Sequence, residues 1–237
     1  MESMMANEDP DDRAILIVEN YPNRADCITR LLKQFGIRFE VVPAGDIKLP
    51  LSSHICGVIL TGGPQSVTTM HRDDTSVLRP VFNLLDEVQK TTLPLLGICL
   101  GHQLLAAWVG GSIKTLAPMI IGFRSIEICE PDRIFDCYPN RTLVAFQYHH
   151  DHVVELPAAC NVLARSETCA IEAFRIEGES MWAVQFHPEV TSSDGEAIMR
   201  HGTPPLEPWM ADSDVQSPYL LHSFASSAGV ISTTLKP

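Results

Sequence analysis

Residues 14–18, Ala-Ile-Leu-Ile-Val, form an unbroken apolar run. A strand with one wet face alternates apolar and polar positions, whereas a strand covered on both faces does not, so this run predicts a buried strand of a parallel sheet. The period then changes. Over 24–35, Ile28, Leu31, Leu32 and Phe35 recur at helical spacing, which predicts an amphipathic helix. Strand-like pieces follow at 38–42 and 57–60, then a helix at 76–90, an apolar run at 95–98 and a helix beginning near Gly101. Strands alternating with helices predict a parallel sheet with right-handed crossovers, helices on both faces and ligands at the strands' carboxyl ends.

Beyond Gly111 the pattern shortens to strand-like pieces at 124–129, 142–147, 161–164, 170–176 and 181–186, with no long helix between them. Such a run predicts an antiparallel extension of the sheet. The fold class expected is α/β: a single-domain, mixed, mostly parallel sheet flanked by helices, with that extension. Residues 1–12 read as a disordered acidic tail, 13–200 as the domain, and 201–237 as a C-terminal extension packed on the same domain. Within the extension, His201-Gly-Thr-Pro-Pro-Leu-Glu-Pro breaks any helix, and 218–230 is expected to form a short one through Leu220, Leu221 and Phe224. A lid or partner contact is the other reading of that segment.

Composition narrows the function. With 237 residues, 45% of them apolar, the chain can bury one large core. A net charge of −12 without any Lys/Arg run argues against nucleic acid and anionic membranes as partners, because clustered cations drive phosphate binding; a small-molecule substrate is expected. No apolar stretch reaches the roughly 18 residues of a membrane span, and the opening MESMMANEDPDD lacks a signal peptide's basic start and apolar middle. The expected location is the cytoplasm. Seven cysteines stand at 27, 56, 99, 129, 137, 160 and 169 with no C-x-x-C pair, a pattern of reduced core thiols rather than of zinc or redox dithiols.

One of those cysteines is placed differently. Gly97-Ile-Cys99-Leu-Gly101 lies where the apolar run at 95–98 gives way to a helix, the spacing of a nucleophile elbow that lifts one side chain above the sheet into reach of solvent. A thiol at a helix N-terminus gains from unpaired N–H groups and the helix dipole, which favour thiolate and can also stabilise an oxyanion. Gln185-Phe-His187-Pro-Glu189 supplies a histidine able to take the thiol proton and a carboxylate able to hold the imidazole in the useful tautomer. Thr61-Gly-Gly-Pro64 follows the strand at 57–60 and can aim a backbone N–H at a substrate carbonyl. The plain alternatives are a core thiol and an ordinary turn.

Gln147-Tyr-His-His-Asp-His152 suggests a metal site from its residue types alone. Strand alternation opposes that, since only His150 with His152, or His149 with Asp151, could share a ligand; no metal is expected. His54, His71, His102, His201 and His222 read as surface or structural residues.

Together TGGPQSV, LLGICLGHQLLA and AVQFHPEV, in that order, resemble the class I glutamine amidotransferases, the Cys-His-Glu glutaminases, and especially the glutaminase domain of GMP synthase, over most of residues 14–200. The resemblance implies the flavodoxin-like fold of that family. It makes Cys99 the nucleophile, His187 the general base and then acid, and Glu189 the group orienting His187. It gives the oxyanion hole to the N–H groups of Gly63 and Leu100, and glutamine binding to Gln103 and to backbone near Gln65. The 147–152 run resembles the family's S-H-G-D-x-V stretch, with His149, Asp151 and Val153 in place; Tyr148 and His150 replace a small residue and a glycine and are expected to alter the outer wall of the pocket.

The chemistry so implied is attack of the Cys99 thiolate on a γ-carboxamide, release of ammonia or an amine, and hydrolysis of a γ-glutamyl thioester, with no metal or redox cofactor. Family members pass the ammonia to a synthetase site. The chain has no G-x-x-x-x-G-K-S/T phosphate loop, so either a separate ATP-using synthetase subunit supplies the acceptor, or the protein acts alone as a γ-glutamyl peptidase. Two further readings are a cysteine esterase of α/β-hydrolase type, which the order His187 before Glu189 opposes, and a catalytically silent regulatory module, which the complete triad opposes.

Overall fold

In a computed structural model of the chain, residues 12–69, 78–201 and 215–231 are described. All but the last residue of the acidic tail, the Ser76 start of the second helix, His71 and the Pro-rich stretch after His201 lie outside them. Nine strands form one sheet. In chain order the elements are β1 (Ala14–Glu19), α1 (Asp26–Gln34), β2 (Phe39–Pro43), β3 (Ile55–Leu60), α2 (Leu78–Thr91), β4 (Leu95–Ile98), α3 (Leu100–Trp108), β5 (Ser112–Ile128), β6 (Thr142–Glu155), β7 (Cys160–Arg165), β8 (Ala173–Ile176), β9 (Met181–Val184), α4 (Ser192–His201) and α5 (Tyr219–Ser227).

The strand order is β2-β1-β3-β4-β9-β8-β7-β5-β6. Ladders from β2 to β9 are parallel and those from β9 to β6 antiparallel. The chain is therefore a single mixed α/β sheet flanked by helices, with five parallel strands carrying an antiparallel extension. Because β9 returns to pair with β4, residue 187, which follows β9, leaves the sheet at the same edge as residue 99, which follows β4. Eighty-odd residues of sequence separation vanish in that one ladder.

Both faces of the parallel half are covered. Ile15 and Ile17 point into one apolar cluster with Ile59, Leu96, Leu31 and Phe224, while Leu16 and Val18 point into a second with Val81, Leu84, Leu104 and Leu105. That two-sided burial is the physical reason the 14–18 run shows no alternation. A smaller cluster of Phe123, Phe146, Val190 and Met199 ties α4 to the β5–β6 hairpin.

Three elements differ from expectation. Strands β5 and β6 run 17 and 14 residues, well beyond the pieces at 124–129 and 142–147. Their outer ends carry exposed Lys114, Thr115, Leu116 and Val154, so pairing between the two strands, not burial, defines them. Helix α4 also lies outside the elements that periodicity predicts. Its signal is the capping pair Thr191 and Asp194: Thr191 N–H donates to Asp194 Oδ2 at 3.0 Å, and Asp194 N–H to Thr191 Oγ1 at 3.4 Å, satisfying two orphan N–H groups reciprocally.

Candidate active site

Cys99 sits between β4 and α3 with φ 52° and ψ −101°, a conformation that a residue with a Cβ holds only when its surroundings over-determine it. The flanking glycines make the turn possible. A Cβ at Gly97 would stand 2.5 Å from the Gly101 carbonyl oxygen, and one at Gly101 would stand 2.6 Å from the Leu60 carbonyl oxygen. The turn is fixed on both sides, Cys99 N–H donating to Val184 O at 2.8 Å and Gln103 N–H donating to Cys99 O at 3.1 Å.

The elbow does not lift the thiol clear of the protein. Cys99 is 5% exposed, because β6 crosses over it and sets the Tyr148 carbonyl oxygen 3.9 Å from Sγ. Its access is instead through a pocket of about 280 Å³.

His187 is anchored by its N–H donating to Phe146 O at 2.8 Å, which joins the end of β9 to β6. Its Nδ1 meets Glu189 Oε1 at 2.8 Å, and its Nε2 is buried without a hydrogen-bond partner among the described residues. Thiol and imidazole converge under Gly62, where an added Cβ would lie 3.2 Å from His187 Cε1 and 3.9 Å from Cys99 Sγ. Burial opposes charge on this imidazole, but the Glu189 carboxylate and a Cys99 thiolate outweigh it and raise the His187 pKa well above the ordinary histidine value. The other six cysteines are all shifted up, burial being the largest cause in each; Cys27 is pushed to about 11.

Eight of the ten residues singled out from the sequence line this one pocket: Gly63, Gln65, Cys99, Gln103, Tyr148, His150, Asp151 and His187. Leu100 and Glu189 stand directly behind it. Leu100 is the first residue of α3, so no intrahelical carbonyl reaches its N–H, and a Cβ on Gly63 would come within 2.8 Å of Leu100 Cδ2. Tyr148 and His150 are exposed along the pocket's outer side.

Individual side chains are used in ways the sequence did not indicate. The Asp151 carboxylate accepts from Ser66 Oγ and Thr115 Oγ1, each at 2.5 Å, so both its oxygens are spent on tying three segments together. Its main-chain carbonyl receives Gln103 Nε2 at 3.0 Å. Gln65 donates its amide to Asn20 O at 3.0 Å. Strand alternation holds from Gln147 to Asp151, with Tyr148 and His150 exposed between buried neighbours, and fails at His152, which is buried as well with its ring 4.6 Å from that of His149. The paired strand carries a register shift between Thr115 and Ile120 at this point. Among the described residues no three His, Cys, Asp or Glu side chains are grouped to hold a metal ion, and no helix is long and apolar enough to cross a membrane.

Arg24 and Met119 also line the pocket and carried no sequence signal. Arg24 lies in the loop between β1 and α1, two strands from β4 in the sheet; Met119 lies in the unpaired part of β5, within that register shift.

A parallel sheet with a cysteine elbow at the end of one strand and a His-x-Glu pair leaving its neighbour defines a class, and the family comparison gives it a name. The family described as Glutamine amidotransferase class-I matches residues 16–202, and the chain belongs to it. Among individual relatives, the chain is 37% identical over 192 residues to the glutamine-hydrolyzing GMP synthase subunit of Pyrococcus abyssi, covering 79% of this chain and 95% of that one. It is 34% identical over 190 residues to the protein of the same name from Methanopyrus kandleri, covering 79% and 95%. A crystal structure of a glutamine amidotransferase from Thermotoga maritima shares the fold with a TM-score of 0.69 at 22% identity, covering 92% of this chain and 93% of that one.

Proposed function

We propose that this protein hydrolyses the side-chain amide of glutamine through a γ-glutamyl thioester on Cys99 and delivers the ammonia to a separate synthetase subunit. The observation that carries the reading is the Glu189–His187 hydrogen bond of 2.8 Å beside a strained Cys99, at the base of one pocket. His187 takes the Cys99 proton; the thiolate attacks the γ-carboxamide carbon; the N–H groups of Gly63 and Leu100 receive the oxyanion. Protonated His187 then gives its proton to the departing ammonia, and the neutral imidazole next activates the water that cleaves the thioester. Glu189 keeps the imidazole oriented and stabilises its charge. Gln103, Gln65 and Asp151 shape the site for the γ-glutamyl group. The relatives named as glutamine-hydrolyzing subunits support a partnered enzyme, with the acceptor chemistry on the other subunit.

A second reading, a stand-alone γ-glutamyl peptidase, is favoured by one observation: the pocket's outer side is formed by Tyr148 and His150, both exposed, where a larger leaving amine would have to project. The ratio of kcat/KM for glutamine to that for a γ-glutamyl dipeptide separates the two, with Cys99→Ala as blank. Glutamine is expected to be preferred, slowly turned over by the chain alone. A dipeptide preference of about tenfold, roughly 1.4 kcal/mol in transition-state binding, would reverse the assignment.

A further inference from the structure

From His149, which lines the pocket, a line of polar side chains runs through the buried sheet. Glu172 Oε1 meets the Gln147 amide at 2.8 Å, and the other end of that amide meets His149 Nε2 at 3.0 Å. His149 Nδ1 faces the Asp151 main-chain oxygen at 3.2 Å, the same oxygen that receives Gln103. Ser166 Oγ accepts N–H groups from Thr168 and Cys169 and gives its own proton to Glu172 Oε1 at 2.6 Å. Glu172, Gln147 and His149 are all buried, and Glu172 Oε2 has no hydrogen-bond partner among the described residues.

Counting protons along this line leaves one arrangement without charge. A carbonyl only accepts, so His149 Nδ1 must carry a proton. A neutral imidazole then has a bare Nε2, which needs a donor, and only the Gln147 NH₂ can be one. The two ends of an amide are interchangeable in shape. With nitrogen toward His149, the Gln147 oxygen faces Glu172, and that contact requires a proton from Glu172. The alternative, ionised Glu172 and a His149 imidazolium separated by a neutral amide, buries two charges out of direct contact, which costs more than the neutral chain.

We propose that Glu172 works as a neutral carboxylic acid: it donates to Gln147, which donates to His149, fixing the imidazole proton on Nδ1 and holding the Asp151 carbonyl that forms the pocket floor with Gln103. Glu172 is thereby a positioning residue for substrate binding, remote from the reacting atoms. The directions of titration agree. Burial pushes Glu172 up to about 7, and burial followed by the charge of His152 drives His149 well below the ordinary histidine value. The titratable groups around the line are Cys169 beside Glu172, held as a thiol chiefly by burial, and His152, His187 and His102 around His149. His102 is driven to about 3 by burial, and His152 is lowered by burial too.

When Glu172 gives its proton to solvent, it must instead accept from Gln147. The amide then turns its oxygen to His149, the imidazole proton passes from Nδ1 to Nε2, and the Asp151 carbonyl loses a donor. The inference rests on glutamine being the substrate only for its kinetic arm, where KM for glutamine is expected to rise about three- to tenfold, one hydrogen bond's worth, between pH 6 and 8.5. In Glu172→Gln, whose amide donates at every pH, KM stays flat. The direct arm needs no turnover: ¹⁵N NMR of histidine-labelled wild-type protein should show His149 with Nδ1 protonated and Nε2 bare at pH 6, changing above pH 7. An imidazolium at pH 6, an Nε2–H tautomer there, or the same KM rise in Glu172→Gln would overturn the proposal. An absence of glutamine turnover combined with the expected tautomer would instead sink the substrate assignment and leave the relay standing.

Discussion

At the residue scale, the site is a problem of keeping one proton on His187. Its pKa is raised by Glu189 and Cys99 against burial, so removing the carboxylate's charge must lower it. If protonated His187 supplies the leaving group's proton, activity is lost as pH rises through that pKa. Glu189→Gln is therefore expected to move the alkaline limb of the kcat/KM profile to lower pH, with a fall in kcat of about a hundredfold; a limb that stays put would show that Glu189 does not set this titration. His187→Asn should cost at least as much, and the double variant little more, because members of such a unit do not act additively. Labelling by a glutamine-like electrophile should be confined to Cys99, since burial holds the other six thiols protonated. Equal modification of another cysteine, read by peptide mass mapping, would remove Cys99 as the nucleophile.

At the scale of elements, the β4–α3 corner converts tight backbone packing into a helix N-terminus whose N-cap residue, Cys99, faces the pocket. Gly97 and Gly101 serve it by lacking a Cβ where the neighbouring atoms are backbone oxygens that cannot retreat. Gly97→Ala and Gly101→Ala are expected to lose about 1–3 kcal/mol each in urea unfolding through overpacking. Gly178, in the turn after β8, has open space but φ +77°, so Gly178→Ala should cost about 1–2 kcal/mol through conformation alone and leave glutamine turnover unchanged. If the corner variants unfold no more readily than the wild-type chain, steric closure is not what holds the elbow. The β5–β6 hairpin contributes differently. It covers Cys99 with the Tyr148 carbonyl and carries a register shift beside the buried His149, Asp151 and His152.

For the whole molecule, two apolar layers clamp the parallel strands, and α5 belongs to one of them. Leu220, Leu221, Phe224 and Ala225 are fully buried among residues of β1, β3 and α1, so α5 packs on the same core as the sheet. Phe224→Ala should accordingly destabilise the protein by about 3–5 kcal/mol, within one cooperative unfolding transition. A separate early transition that leaves the rest folded would mark the extension as an independent element.

Local pattern along the chain was enough for the family and most of the sheet. The unbroken runs at 14–18, 57–60 and 95–98 admit no half-wet strand, and G-I-C-L-G and H-P-E each bring their functional groups within a few residues of one another, so local pattern suffices to recognise them. It did not reveal that Cys99 is covered, that the Asp151 carboxylate is tied to Ser66 and Thr115, that Arg24 and Met119 reach the pocket, or that Glu172 stands behind it. Those facts depend on ladders between β4 and β9 and between β5 and β6 that join residues far apart in the chain. No periodicity within a single segment records how its partner strand is registered against it.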